Sequence, residues 1–225
     1  MTNQTPPAVS DDQYGKVEQV LRDIVRKGKI NSPEFQYVLG HPSFAKELDT
    51  VVNDKVTEYR LSKPLLERPP FMTIQIGTFK NVKAMRQALK DKKINISAWA
   101  SDLMDRMTLT AKPATLKLYR ATNAELGLPK GSTVAQSFEA IARFGGEKLP
   151  AEAGPQYRLQ NLDQKLGEWE LMYMDPIIGR GGYPRVFGVG HYGGGLWLNG
   201  HTASPDYFYD AGSVWVFGRK RPVGA

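Results

Sequence analysis

Glycine and tryptophan are concentrated towards the end of this chain, and that concentration limits what this part can fold into. Residues 167–225 hold 13 of the 22 glycines and three of the four tryptophans. From residue 184 to residue 221 the sequence reads PRVFGVGHYGGGLWLNGHTASPDYFYDAGSVWVFGRKR, in which short aromatic segments alternate with small polar residues. Glycine at this density disfavours helices, whereas short aromatic and β-branched runs between turn residues are typical of strands. The pattern predicts a small antiparallel sheet with an aromatic core.

Five large aromatic residues of these segments are predicted to be mainly structural and buried: Trp169, Phe187, Trp197, Trp215 and Phe217. Each lies in a short predicted strand, at residues 169–174, 185–189, 196–198 or 214–219. Because side chains alternate between the two faces of a strand, Trp215 and Phe217 share one face. Burial of such rings is a large source of stability.

The rest of the chain predicts an α+β fold with helices first. Residues 1–10 are predicted to be a disordered tail, residues 11–62 a helical region, and the proline-punctuated residues 63–70 a linker. The predicted helices of that region lie near residues 11–27, 32–39 and 43–59. Residues 71–150 predict a mixed α/β region, and residues 151–225 the glycine- and tryptophan-rich β region that binds a ligand.

Periodicity assigns most elements of the mixed region. Strands are expected at residues 71–79 and 115–120, and amphipathic helices at residues 82–89, 97–107 and 132–143. Ser132 is the predicted N-cap of the third of these helices. Residues 151–159 fit a helix and a strand equally well.

Composition removes several chemistries from consideration. The chain has no cysteine, which excludes disulfides, thiol catalysis and cysteine metal ligands. Its first residues show no secretory signal, and no stretch approaches the roughly 18 apolar residues of a membrane span. The expectation is a cytoplasmic protein with no membrane partner.

The histidines near the glycine-rich loops are weak candidates for a metal site. His191 and His201, together with Asp206 or Asp210, offer suitable ligand types. Their spacing matches no metal motif, however, and polar surface residues are the favoured interpretation. The sequence therefore predicts no bound metal.

No motif of catalysis or of cofactor binding stands out, and the chain is predicted not to be an enzyme and to bind no cofactor. Residues 188–193 fit G-x-G-x-x-G, but the glycine-rich segment that follows cannot form the helix that a dinucleotide site requires. Glu168 and Glu170 flank Trp169, and they are predicted to lie on a solvated strand face.

Basic residues are unevenly distributed. Residues 1–150 carry 23 basic and 16 acidic residues, whereas residues 151–225 carry seven of each. Four cations follow helical spacing and are predicted to line one face of a helix: Lys83, Arg86, Lys90 and Lys93. Such a face can neutralise several phosphates of a nucleic acid. Nucleic-acid binding or regulation is therefore the alternative function, against the commoner interpretation of a solvated helix face.

A series of short motifs runs through residues 157–220: YRLQ at 157–160, DQ at 163–164, GEW at 167–169, PI at 176–177, VF at 186–187, GLWL at 195–198, WVF at 215–217 and RK at 219–220. The series resembles uncharacterised proteins of uncultivated small-genome bacteria, which join a constant framework to a variable C-terminal patch. It is also similar to the C-type-lectin-like (formylglycine-enzyme-like) binding domains that retroelements diversify. The resemblance implies a stable scaffold that presents variable surface residues and ends in a closing strand.

The favoured function is that of a non-enzymatic binding protein whose C-terminal loops recognise a protein, a peptide or a glycan. Rigid aromatic residues among small adaptable polar residues are the composition of a binding surface. The predicted ligand contacts are Tyr192, Asn199, His201, Asp206, Tyr207 and Tyr209. Adenine mutagenesis of asparagine codons yields residues of these types, in keeping with the retroelement resemblance. We expect the six side chains on loops or strand edges, where they can change without loss of the core.

Overall fold

The computed structural model describes residues 68–219 without a gap and, before them, residues 19, 22–23, 25–28, 31–41, 43–44, 46–47 and 50. The chain divides into two compact units, Met1–Thr57 and Glu58–Ala225. In the first unit helix α1 spans Ser32–Gly40. Asn31 and Glu34 cap it reciprocally, because each side chain accepts a hydrogen bond from the backbone N–H of the other.

The other predicted helices of the first unit are described only in part. Residues 22–23, 25–27, 44, 46–47 and 50 are helical, which agrees with the two predicted helices on either side of α1. The predicted tail at residues 1–10 and most of the predicted linker, residues 63–67, lie outside the described residues.

The second unit is built on a nine-stranded sheet. Its strands are β1 (Met72–Ile76), β2 (Asn95–Ile96), β3 (Ala114–Thr122), β5 (Gly146–Glu147), β6 (Trp169–Met172), β7 (Ile177–Ile178), β8 (Pro184–Tyr192), β9 (Gly195–Thr202) and β11 (Val214–Arg219). The order across the sheet is β1-β3-β11-β6-β8-β9-β2, with β5 on β11 and β7 on β8. Strands β4 (Ser132–Thr133) and β10 (Phe208–Tyr209) form a separate two-stranded sheet.

The main sheet is larger than the small antiparallel sheet that the sequence predicts, and it is mixed. Strand β11 pairs antiparallel with β3 and parallel with β6, and β2 runs parallel to β9. Because β11 lies between β3 and β6, strands from residues 71–150 and from residues 151–225 share one sheet. The α+β class holds, with helices packed against a curled mixed sheet.

Four helices accompany the sheet: α2 (Val82–Asp91), α3 (Ala98–Arg106), α4 (Val134–Arg143) and α5 (Ala153–Gln160). The predictions of α2 and α3 are confirmed. Asn81 and Ser97 cap them by accepting a hydrogen bond from the third following N–H. Among the described residues, no helix has both the length and the apolar character needed to cross a membrane.

The start of α4 and the ambiguous residues 151–159 are settled by tertiary contacts. Thr133, and not the predicted Ser132, caps α4, in a capping box with Gln136. Ser132 instead turns inwards, where its hydroxyl lies 2.7 Å from that of Ser137. The ambiguous segment forms helix α5, of which every residue before Gln160 is buried.

The predicted aromatic core is confirmed in part. Trp215 and Phe187 are fully buried and Phe217 is 1% exposed. Phe138 of α4 covers Trp215 edge-on, at 5.4 Å between ring centroids. Trp197 is only half-buried. The prediction is wrong for Trp169, which is 36% exposed.

Candidate functional site

Glycines allow aromatic rings to lie against the backbone of the sheet around β8. A Cβ atom at Gly188 would stand 2.5 Å from Cδ2 of His201, and one at Gly190 would stand 2.8 Å from Cε1 of Tyr192. On the opposite face, a Cβ at Gly200 would stand 2.9 Å from Cβ of Trp99. Each distance is too short for a real contact, so a larger residue would displace the ring at Gly188 or Gly190 and the first turn of α3 at Gly200. These glycines therefore set how closely the rings approach the sheet.

A row of aromatic rings leads from the core to the surface. Trp169 stacks on His201 with centroids 5.6 Å apart and planes 24° apart. Tyr209 lies 6.2 Å from Trp169 and 5.6 Å from the buried Trp215, so it contacts both tryptophans. Its hydroxyl donates a 2.8 Å hydrogen bond to the carbonyl of Thr202. This hydrogen bond holds Tyr209 in place at the centre of the row.

An open cavity of about 500 Å³ lies beside this row, a size typical of a ligand site. The side chains that define it, which we call the aromatic surface, are Trp99, Trp169, Arg185, His201, Tyr207 and Tyr209. A second cavity of about 550 Å³ shares Arg185 and Tyr207 and adds Tyr183 and Asp206. Several rings here face solvent, since Phe208 at the shared rim is 58% exposed and Tyr207 is 46% exposed.

Arg185 lies between the two cavities. Its guanidinium carbon stands 3.7 Å from the centroid of the Trp99 ring, which is a close cation–π contact. Its Nε atom is buried and has no hydrogen-bond partner. Trp99, at the first turn of α3, is 42% exposed and thus forms an open wall of the cavity.

Burial keeps His201 and Tyr209 of the aromatic surface neutral. Burial and, to a smaller extent, the charge of Arg185 lower the pKa of His201 to about 4, so the imidazole is uncharged at pH 7. Burial raises the pKa of Tyr209, whose hydroxyl therefore stays protonated. The positive charge of the aromatic surface is thus that of Arg185. Over the described part of the chain, no three histidine, aspartate or glutamate side chains are grouped as a metal site.

Three of the six predicted ligand contacts lie where the sequence suggests. Asp206 and Tyr207 are exposed in the loop between β9 and β10, and both line the second cavity. Tyr192 is 41% exposed at the end of β8 and stacks on Trp197, with centroids 5.6 Å apart. Tyr192 lines neither cavity, so the structure does not bring it together with the other two.

The other three predicted contacts are not loop residues. Asn199 and His201 lie within β9, and Tyr209 lies in β10. Asn199 is 9% exposed and Tyr209 is 7% exposed. Asn199 donates a 2.7 Å hydrogen bond to the hydroxyl of Tyr192. The expectation that they change freely is wrong for Asn199 and Tyr209, because both are packed and hydrogen-bonded.

Three residues of the aromatic surface were not predicted as contacts. Trp169 was assigned to the core, Trp99 to the apolar side of a helix, and Arg185 to a strand. One signal was available for Arg185, since residues 184–192 contain no acidic residue that could pair with it. Its meeting with Trp99 depends on the packing of α3 against β9, which no local pattern reveals.

The basic helix face is smaller than predicted. Lys83 and Lys90 are exposed on α2, whereas Lys93 is exposed but lies just beyond the end of α2 at Asp91, so the prediction that it shares the helix face is wrong. Arg86 instead turns towards α3, where it donates hydrogen bonds to the hydroxyl of Ser101 and, at 2.8 Å, to the carboxylate of Asp105. Its charge is therefore already partly compensated.

The prediction of a solvated carboxylate is wrong for Glu170, which is 2% exposed. Its carboxylate accepts hydrogen bonds from Arg120 at 2.8 Å and from the hydroxyl of Tyr157 at 2.5 Å. Burial, followed by the charge of Glu170, raises the pKa of Tyr157, so its hydroxyl remains a donor. The side chains of Arg120, Glu170 and Tyr157 join β3, β6 and α5, and the two donors compensate the buried charge of the carboxylate.

Comparison with known proteins adds no further constraint. No protein-family model matches the chain. No curated protein and no solved structure is significantly similar to it. The interpretation of the aromatic surface therefore depends on its own geometry and chemistry.

Proposed function

We propose that the chain is a non-enzymatic binding protein whose aromatic surface recognises a protein, a peptide or a glycan. The observation that carries the proposal is the set of exposed rings around the cavity of about 500 Å³. Large apolar rings at a protein surface mark interaction sites when they are contiguous. Tyrosine, tryptophan and arginine are also the residues that dominate binding energy in interfaces.

The division between scaffold and rim supports the same function. Phe187 and Trp215 anchor the sheet from inside, whereas Asp206 and Tyr207 are exposed on a short connection. Side chains on a loop above a rigid sheet can vary at little cost in stability. The same arrangement is expected of a scaffold that carries variable contacts.

We extend the proposal to the resemblance seen in the sequence. A C-type-lectin-like relationship and diversification by a retroelement both require a stable framework under changeable residues. Asp206 and Tyr207 suit the changeable class, whereas Asn199 and Tyr209 belong with the framework. A template repeat near the gene, with adenine-specific mismatches confined to codons of exposed residues, is the genomic observation that tests this extension.

The binding experiment uses the full chain against three probe sets: a displayed random-peptide library, a glycan array and a panel of folded protein domains. We expect saturable binding in one set, with a loss of tenfold or more for Trp169→Ala and for Tyr207→Ala. Leu162→Ala is the matched control, because Leu162 is 42% exposed and lines neither cavity. Equal losses in all three variants, or no binding to any probe, would contradict the proposal.

The alternative function, nucleic-acid binding by the basic helix, is favoured by the exposure of Lys83, Lys90 and Lys93. Replacement of all three by glutamine should then reduce the salt slope of DNA or RNA binding by roughly one unit per lost phosphate contact. Arg86→Gln should weaken binding less, since Arg86 already pairs with Asp105. Absence of binding at low salt by the unmodified chain would remove this function.

A further inference from the structure

Arg185 is a cation for which the described residues supply no counter-ion. Among the described residues no carboxylate lies within ion-pair distance of its guanidinium, whose recorded contact is the ring of Trp99. Its Nε atom is buried without a hydrogen-bond partner. A buried donor that has lost water and gained no acceptor is costly, and such groups often serve binding.

The surroundings of Arg185 leave the positive charge in place. His201 is neutral at pH 7, and Tyr209 is protonated. The acidic side chains that line the cavities are those of Asp206 and Asp210, of which Asp210 accepts a 2.8 Å hydrogen bond from Ser213. Neither forms an ion pair with Arg185, so the guanidinium remains available to an incoming anion.

The chemistry of a guanidinium selects the anion. Its planar fork of N–H donors matches the two oxygens of a carboxylate. The ring of Trp99 holds the plane of the guanidinium from one side, which reduces the entropy lost when an anion binds. The cavity of about 500 Å³ beside it has space for a side chain but is open to solvent.

The rings that flank Arg185 favour a peptide as the source of that carboxylate. Tyrosine, tryptophan, phenylalanine and arginine are the residues enriched at protein interfaces. Phe208 and Tyr207 expose apolar rings beside Arg185 at the shared rim of the two cavities, where a neighbouring apolar side chain can pack. Residues 151–225 carry equal numbers of basic and acidic residues, so the positive charge that attracts an acidic partner here is that of Arg185 itself.

We propose that Arg185 binds a carboxylate of an acidic peptide segment, whose adjoining apolar side chain packs on Tyr207 and Phe208. This inference rests on the proposed binding function and names its ligand chemistry.

Peptides that bind the full chain are first selected from a displayed random-peptide library. The selected peptides are then synthesised again with each aspartate replaced by asparagine and each glutamate by glutamine. We expect the binders to share one aspartate or glutamate beside an apolar residue, and the amide to lower affinity at least tenfold. On Arg185→Gln the acidic and amide peptides should bind with equal, weak affinity. Lys117→Gln controls for net charge, because Lys117 is exposed on β3 and lines neither cavity.

Arg185→Lys separates loss of the guanidinium fork from loss of folding. It retains the charge, and we expect it to lose most of the preference for the acidic peptide while its melting temperature stays close to that of the parent. If Arg185→Gln unfolds, the Lys variant alone decides the matter. If Arg185→Lys kept the full preference for the acidic peptide, a bidentate contact between the guanidinium and the carboxylate would be excluded.

Two results would overturn this inference while leaving the proposed function intact. One is a set of peptide binders without a required carboxylate, or with a carboxylate preference that survives in Arg185→Gln. The other is binding to acidic sugars of a glycan array and to no peptide. Failure of every peptide, glycan and protein probe would instead contradict the proposed function itself.

Discussion

Two tryptophans on one face of the sheet have opposite environments. Trp215 of β11 lies beside Leu171 of β6 in the parallel register, and Trp169 precedes Leu171 by two residues, so both indoles project to the same side. Trp215 is fully buried beneath Phe138 of α4, whereas Trp169 is 36% exposed. Tyr209 contacts both rings and marks the boundary between the covered and the uncovered half of this face.

The difference shows that residue type does not decide whether a strand position is core or surface. Both tryptophans occur in short strands, although Glu168 and Glu170 flank Trp169 whereas Val214 and Val216 flank Trp215. Helix α4 covers one half of the face, while over β8 the glycines and the stacked rings of Trp169 and His201 take the place of a helix. Rings that cover a sheet by themselves stabilise it and remain exposed to a ligand.

The largest expected effect is a difference in unfolding free energy between substitutions of the two tryptophans. Trp215→Ala should lower the free energy of unfolding by about 3–5 kcal/mol, because it leaves a cavity under α4. Trp169→Ala should cost about 1 kcal/mol, since the ring is already partly hydrated. Urea denaturation of both variants measures the difference. Equal losses would remove the distinction between the two halves.

The uncovered half should also respond to acid through His201. Its pKa of about 4 in the folded chain lies below the value of about 6.5 in an unfolded chain. The folded state therefore binds fewer protons, and stability is full above pH 6.5 and falls as the pH drops towards 4. The loss is on the order of 3 kcal/mol.

His201→Phe provides the comparison for this pH dependence. It retains a ring on Trp169 and removes the titration, so its stability should change less between pH 6.5 and pH 4. Asp102, Glu125 and Glu152 also have lowered pKa values, but they titrate in both proteins. Parallel stability curves for the two proteins would exclude a buried neutral His201.

A smaller effect is expected at the boundary itself. Tyr209→Phe keeps both ring contacts and removes the hydrogen bond to the carbonyl of Thr202. We expect a loss of about 1 kcal/mol in unfolding free energy, the usual value of one such bond. Thermal melts with the parent as reference measure it. A loss above about 3 kcal/mol would show that the hydroxyl does more than hold β9.

The smallest effects on folding are expected at the rim. Asp206→Ala and Tyr207→Ala should each change the unfolding free energy by about 0.5 kcal/mol or less, because both side chains are exposed. Tyr207→Ala should nevertheless weaken ligand binding by about 2 kcal/mol. Cooperative unfolding at lower temperature in either variant would place the rim within the folded framework.

Local elements were predictable because their signals are local. The apolar spacing of residues 82–89 and 97–107 depends on neighbours within one or two helical turns, and α2 and α3 follow it. The alternation of Ile74 and Ile76 likewise marks one buried face of β1. Short-range periodicity therefore sufficed for these segments.

The candidate site was only partly predictable, because its contacts join distant residues. Glu170 is buried since Arg120 and Tyr157 reach it from other elements, and an isolated strand sequence does not reveal that. Arg185 and Trp99 meet through the packing of two elements far apart in sequence. Tyr207 was found because its loop is polar, which is a local property.

The central position of β11 has a consequence for synthesis. A ribosome releases β1 and β3 first, then β6, β8 and β9, and among the described strands it releases β11 last, although β11 lies between β3 and β6. Until β11 is released, β3 and β6 each have an edge with unpaired backbone N–H and C=O groups. Such edges are sites of misassembly. The nascent chain therefore completes its fold only after residue 219 has left the exit tunnel, and chaperones that shield strand edges are expected to matter most during that interval.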